Sequence, residues 1–385
     1  MKRMIGFSSL IVAACAAAGC THQTSARTEP VPTTVTVTAS AASSVELKSA
    51  AAEGRTLAQR VTEASVREEL SVLAADSMEG RFTASPGGAR AARYVAEQFQ
   101  AAGLRPAGDS GYFQRVPVAF RNGMPRPVPS VDALDTVPAD RHGLAVNVVG
   151  ILPGTLRDSA IVVDAHYDHL GTVAHGRCNA VGADSICNGA DDDASGTVAV
   201  MEIAKAMASG PTPHRTIVFV ATTGEEVGLI GTKWYIAHPA VPLAHMVANL
   251  EIEMIDRPDS LAGGPGHAWL TGYERSTMGA MFASAGLPIE PDKRPCQGFF
   301  ERSDNIAFAR AGIPAHTLST FDLHADYHHA NDELSLANIP HMTDVIRAAV
   351  SAVGILANGP APHWYAGKQP PATGRMIRPN CRATR

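Results

Sequence analysis

The sequence predicts an α/β domain: a mixed, mostly parallel central sheet with helices on both faces. Three observations predict it. Two short runs rich in β-branched residues, Ile161–Ala165 and Thr216–Ala221, are apolar throughout and bounded by turn residues, as in strands buried on both faces. Between them, Ala194–Met207 repeats apolar residues at helical spacing (Val198, Met201, Ala204, with Met207 on a neighbouring row) and stops at Gly210-Pro211. Each run leads into His, Asp or Glu, and the carboxyl ends of strands are where an open α/β sheet places its site.

The remaining elements follow in order. Lys2 and Arg3 precede the apolar stretch Met4–Ala14, which is too short to cross a bilayer, so residues 1–20 read as an export signal. Ala17-Ala18-Gly19-Cys20 resembles the bacterial lipobox, which implies a lipid on Cys20. Val12-Ala13-Ala14-Cys15 is the alternative, and a signal cleaved without lipidation is a second. The expected location is the outer membrane, on either face, or else the periplasm or the medium in soluble form. Residues 21–44 are rich in Thr, Ser and Ala with Pro30 and Pro32, and lack the large apolar side chains that offset ordering entropy. They read as a disordered tether, and residues 45–385 as one folded domain.

Helices are expected over Thr56–Ala75, Gly87–Ala102, Leu229–Ala237, Ser276–Ala285, Ser303–Ala311 and Leu336–Leu356, the last interrupted near Pro340. Strands are expected over Gly111–Phe120, Ala145–Ile151, His245–Ile255, His267–Thr271 and Ile313–Ser319, with an irregular, Pro-rich stretch over Arg121–His142.

With 45% hydrophobic and 18% charged residues the chain can bury a large core, and a net charge of −5 argues against a nucleic-acid partner or a basic membrane-binding face. Membrane contact is expected only through the lipid. None of the six cysteines lies in a CxxC pair, so a thiolate zinc site is not expected. Export permits disulfides: Cys178 and Cys187 flank one loop and can pair, and Cys296 with Cys381 is a second candidate.

The chemistry gathers at the strand ends: His166, the run Asp191–Asp193, Glu225 with Glu226, Glu253 and His328. Imidazole and carboxylate together suit zinc, and adjacent Glu225 and Glu226 just past a strand end can serve different tasks, one holding metal while the other moves a proton. Asp168, two residues beyond His166, can orient its imidazole.

The ordered set HYDH, NGADDDASG, TTGEEVGL, NLEIEMI, FFERSDN with GIPA, and DYHHANDE resembles the M28 family of zinc peptidases. This is the co-catalytic aminopeptidase class related to aminopeptidase Y, glutamate carboxypeptidase and glutaminyl cyclase. The resemblance runs from about Leu73, where LAADSMEGRFTASPGG begins, to about Leu356. It implies an eight-stranded sheet and two zinc ions, with His166 on one, Asp191 bridging both, and Glu226 and His328 on the other. Glu225 would be the general base and Asp168 the partner of His166. The family's N-L-D-M segment stands here as N-L-E-I-E-M-I; its register against Met254-Ile255 selects Glu253 as the remaining ligand, with Glu251 the alternative. The family's SDH is SDN here, so Asp304 is expected to order a loop and Asn305 is not counted as a ligand.

Plainer readings stand beside these. Asp192 and Asp193 fit helix capping, and His169 fits a structural place. His324 and His329 compete with His328, Asp332 suits an orienting partner, Glu79 and Arg81 suit a surface ion pair as well as a site role, and His175, His267 and His316 suit packing. The expected activity is removal of N-terminal residues from peptides. A carboxypeptidase or dipeptidase would use the same metals, but no Arg or Lys cluster marks a carboxylate clamp. A glutaminyl cyclase and a non-catalytic binding lipoprotein complete the alternatives. Oligomeric state is left open.

Overall fold

The computed structural model describes residues 35–374 and 376. The export signal, residues 21–34 of the expected tether, and Cys381 lie outside them. The chain divides into units at Ser40/Ala41, and the account below concerns the unit from Ala41 onward. One expectation changes at its start: helix α1 (Val35–Ala58) occupies residues 35–44, where the composition predicts a tether. After Pro32 no Pro or Gly occurs before Gly54, so nothing in that stretch breaks a helix. The helix expected over Thr56–Ala75 is also two. Helix α2 (Glu63–Leu73) restarts at Thr62, whose hydroxyl accepts the Ser65 N–H at 3.1 Å.

After helix α3 (Pro86–Ala101) come strands β1 (Arg105–Pro106), β2 (Phe113–Arg121), β3 (Met124–Pro127), β4 (His142–Leu152) and β5 (Leu156–His166). A ribbon of β6 (Gly171–Thr172) and β7 (Ile186–Cys187) follows, then α4 (Gly196–Ala208), β8 (Arg215–Thr222), α5 (Ile230–Ala237) and β9 (Met246–Glu253). The chain closes with β10 (Ala268–Leu270), α6 (Thr277–Ser284), β11 (Ile289–Pro291), α7 (Asn305–Arg310), β12 (Ala315–Ser319) and α8 (Ile339–Asn358). Pro340 begins α8 rather than breaking it, because the first turn needs no N–H from that residue.

The sheet has ten strands in the order β11-β10-β12-β9-β5-β8-β4-β2-β3, with β1 beside β4. Short strands such as β1 and β3 carry it beyond the eight that the resemblance implied. It is mixed, and its middle, β12-β9-β5-β8, is parallel. Those four strands end together at Ser319, Glu253, His166 and Thr222.

Alternation gives the four strands two different faces. One carries Ile161, Val163 and Ala165, Ile217, Phe219 and Ala221, and Ala248, Leu250 and Ile252, all in one buried cluster with α3, α4 and α8. The other has three registered rows: Ala315, Asn249, Val162 and Val218; then Thr317, Glu251, Asp164 and Val220; then Ser319, Glu253, His166 and Thr222. Helices α5 and α7 cover the apolar part of this face through Tyr235, Ile306 and Phe308.

Candidate metal centre

The last polar row and the loops beyond it build the site. His166 is fully buried, and its Nε2 has no hydrogen-bond partner. That nitrogen lies 3.4 Å from Asp192 Oδ1 and 3.9 Å from Glu253 Oε1. The other oxygen of Asp192 lies 3.2 Å from His328 Nε2, which is 3.5 Å from Glu226 Oε1. Ligand atoms about 2 Å from one tetrahedral zinc stand roughly 3.3 Å apart. Two such groups therefore meet at Asp192, one oxygen to each.

This corrects the bridging role expected of Asp191. Asp191 turns away: Oδ1 accepts the Asp256 N–H at 2.9 Å and Oδ2 lies 2.9 Å from His324 Nε2. The reason is the backbone between Gly189, which is left-handed, and helix α4. Asp192 is extended (φ −103°, ψ 100°), so neighbouring side chains diverge. The Asp332 carboxylate holds this loop, accepting the N–H groups of Asp191 and Asp192 at 3.1–3.2 Å. Of the two acids read as caps, only Asp193 takes that part. Its Oδ1 accepts Gly196 N–H and Met254 N–H, each at 3.0 Å.

Other expectations resolve as follows. Glu253 faces the site, whereas Glu251, one row behind, is spent on Ser303, Thr317 and the N–H groups of Asp304 and Asn305. His324 is held by Asp191, and His329 Nδ1 lies 2.8 Å from its neighbour's carbonyl, the Tyr327 oxygen, so neither competes with His328. Asp304 accepts the Thr222 hydroxyl at 2.5 Å. Asp168 lies beside His166, but the near partner of the ring Nδ1 is the Asp168 carbonyl oxygen at 3.0 Å; its carboxylate oxygen is 3.9 Å away. That carboxylate accepts the Thr83 hydroxyl at 2.9 Å and the Glu225 N–H at 3.2 Å, so it ties the His166 turn to the Glu225 loop.

Sequence reading missed two residues. His169 is buried with Nδ1 2.9 Å from Glu226 Oε1 and 3.8 Å from Asp192 Oδ2, the first a hydrogen-bond distance. The only signal for it was its place three residues after His166. Arg81 is not a surface residue; Glu79 pairs instead with Arg90. Glu79, Gly80 and Arg81 are successively left-handed, which turns the Arg81 side chain inward where it is fully buried. Its guanidinium donates to the carbonyls of Leu73, Tyr167, Asn188 and Gly189 at 2.5–2.9 Å. One cation thus clamps the His166 turn to the Asp192 loop.

Charge in the cluster is short on the positive side. Against the cost of burial, His169, His166 and His328 hold the Asp192 carboxyl well below the usual range, and hydrogen bonds from His169 and His328 bring Glu226 down to about 2. His328 is raised to about 10 by Asp192 and Glu226. Burial, which disfavours the charged form, pushes Glu225, Glu253 and Asp193 well above the carboxylate range. With the unpartnered His166 Nε2 at its centre, this donor set fits a pair of divalent cations.

A cleft opens onto the site. Met254, Trp269, Phe299, Phe321 and Tyr327 wall it, Asp192, Glu225 and Glu253 border it, and Arg302 stands at its rim. The ribbon loop leans on the opposite side, closed by the Cys178–Cys187 disulfide: Arg177 donates to the Glu226 carbonyl and Asn179 to the His328 carbonyl. The Cys296–Cys381 pairing involves a residue outside those described.

Residues 147–353 match the profile of peptidase family M28. Leupeptin-inactivating enzyme 1 of Streptomyces exfoliatus is 29% identical over 172 residues, 44% of this chain and 34% of that one. Leucine aminopeptidase 2 of Trichophyton equinum is 28% identical over 196 residues, 48% of this chain and 38% of that one. The match spans little more than a third of either relative, or less. Among solved structures, the aminopeptidase from Aneurinibacillus sp. strain AM-1 superposes with a TM-score of 0.56 at 16% identity, covering 85% of this chain and all of that one. The LapA aminopeptidase of Legionella pneumophila gives 0.55 at 19% identity, covering 80% and 75%. These likenesses establish the fold.

Proposed function

The chain belongs to peptidase family M28, and from that premise we propose that it is a two-zinc aminopeptidase that removes N-terminal residues from peptides. The observation that carries the reading is Asp192, which offers one oxygen to His166 and Glu253 and the other to His328 and Glu226. His166, Asp192 and Glu253 would hold one zinc, and Asp192, Glu226 and His328 the other, with His169 orienting Glu226. A bound zinc pair supplies Lewis acidity and lowers the pKa of water to about 7.

The chain's own residues do the rest. Glu225 borders the cleft with its backbone fixed by Asp168, so its carboxylate can take the proton of the attacking water and return it to the leaving amine. Asp168 and Arg81 hold the two loops in register. The apolar walls of the cleft exclude water around the scissile bond and receive the N-terminal side chain.

From the signal-like sequence of residues 1–20 we further propose that the protein is exported and tethered through a lipid on Cys20. The buried Cys178–Cys187 bond is compatible with an oxidising compartment. Metal content of purified protein, with release of amino acid from leucine, alanine and lysine p-nitroanilides, tests the activity. Two zinc per chain and chelator-sensitive release is the expected result. One zinc would favour a cyclase, and none would leave a binding protein.

A further inference from the structure

Arg302 is a cation without an anion. It stands at the rim of the cleft, its guanidinium 5.0 Å above the Phe299 ring and Nη2 3.4 Å from the Tyr327 hydroxyl. No carboxylate among the described residues lies within 4.0 Å of it. The neighbouring acid is spent elsewhere: Glu301 pairs with Arg310 and accepts the Met376 N–H at 3.0 Å. Other arginines flanking the site are saturated, Arg257 by Asp256, Asp326 and Asp332, and Arg294 by Asp259.

A second donor waits in the same cleft. Trp269 is 2% exposed and stacks on Phe299 at 5.1 Å, yet its indole N–H has no partner. A buried indole N–H is ordinarily hydrogen-bonded. Arg302, Phe299 and Trp269 therefore form a stack with a planar cation at the rim and a buried, unpartnered donor at its inner end. Tyr327 joins that stack to the metal centre, its ring lying 3.8 Å from that of His328.

The geometry points to a substrate that carries a carboxylate, received by Arg302 while the aromatic walls cover its methylenes. This deepens the aminopeptidase reading and rests on it. The carboxylate has two sources, the side chain of an N-terminal glutamate or aspartate, or the terminal carboxylate of a dipeptide. A guanidinium presents paired N–H groups that fit either one.

The test compares the zinc-loaded enzyme with Arg302→Gln on four substrates: glutamyl- and leucyl-p-nitroanilide, and leucyl-leucine with its C-terminal amide. The reading is a ratio, kcat/KM for the carboxylate-bearing member of each pair over the neutral one. One of the two ratios should fall by roughly 10- to 100-fold in the variant, the worth of a charge-assisted hydrogen bond, and Arg302→Lys should restore part of it. A fall in the glutamyl pair assigns the side chain, and a fall in the dipeptide pair assigns the terminal carboxylate. Ratios that stay level in both pairs overturn the proposal while leucyl hydrolysis leaves the aminopeptidase reading standing. Failure to cleave any substrate is a failure of that reading instead. Calorimetric binding of isoglutamine, leucyl-leucine and leucinamide to the zinc-loaded Glu225→Gln protein, with and without the Arg302 change, then decides the proposal without turnover. Arg302→Gln should weaken a carboxylate ligand and spare leucinamide, and equal losses would overturn it.

Discussion

The two faces of the same four strands have opposite compositions. Toward α4 and α8 every paired position from Ile161 to Ala165, and its partners on β8 and β9, is aliphatic or aromatic and closed to solvent. Toward α5 and α7 the rows grow more polar with each step to the carboxyl end, from Asn249 through Asp164 and Glu251 to His166 and Glu253. Burying those acids costs stability unless they are bonded, and the cost is met locally. Glu251 accepts four hydrogen bonds, and Asp164, driven well above the carboxylate range by burial and by Glu251, accepts the Asn249 amide at 2.5 Å. One face supplies cohesion that the other gives up to present ligands in a dry, rigid frame.

The sharpest way to break that division is to remove a function without touching stability. Glu225→Gln keeps the shape and removes the base. Turnover should fall by about 10³-fold or more with zinc content and melting temperature unchanged. A variant that keeps its rate would end the assignment of Glu225. Next in size is the contrast between neighbours. Asp192→Asn should weaken both zinc sites by more than about 100-fold, because each draws on one of its oxygens. Asp191→Asn should cost under about 10-fold, acting only through the Asp256 N–H and His324. Competition with a chromophoric chelator measures both. A reversed order would return the bridge to Asp191, and equal losses would end its assignment to Asp192 alone.

That pair also marks how far the residue order could be read. Strand ends were legible because period-two alternation and β-branched runs point to a unique face, which carries His166 and Glu253 in its last row; Glu226 and His328 lie in the loops after β8 and β12, beyond the reach of that alternation. Asp191 against Asp192 was not legible, because the loop from Gly189 to Ser195 follows no regular period and its course depends on Asp332, some 140 residues away along the chain. The same holds for Arg81. Nothing near it in the chain marks it as buried, since three of its four acceptors, the carbonyls of Tyr167, Asn188 and Gly189, come from the loops it joins. Residues 35–44 failed for a different reason: a Thr/Ser/Ala composition reads as a tether whether or not a helix forms.

Stability mutations on the apolar face sharpen the comparison from the other side. Phe219→Ala should cost about 3–5 kcal/mol by denaturant unfolding, yet leave zinc affinity of the folded protein within error. Arg81→Met should cost about 3 kcal/mol or more through carbonyls left unpaired, and it should also weaken zinc, since the His166 and Asp192 loops lose their common clamp. Arg81→Met that destabilises but binds zinc normally would make Arg81 a packing residue like Phe219.

The smallest effect concerns the exception on the apolar side. His316 shares that side of β12 with Leu318, fully buried, its Nδ1 2.6 Å from the Thr271 carbonyl and Nε2 2.7 Å from the Ser276 hydroxyl. Burial pushes its pKa down to about 4, against about 6.5 in an unfolded chain. The unfolded state therefore binds the extra proton first. The neutral ring's contribution is whole above pH 6.5 and is lost as pH falls toward 4, about 3 kcal/mol in all. His316→Gln removes that titration while keeping a polar group between the same partners. The stability gap between wild type and variant should be widest near pH 7 and shrink on acidification to pH 4, after the shared slopes of other groups cancel in the difference. A gap that does not change with pH would mean that the folded ring titrates as it does in the unfolded chain, and a gap that widens on acidification would mean that the ring already carries its proton and that the apolar face tolerates a charge the rest of its composition argues against.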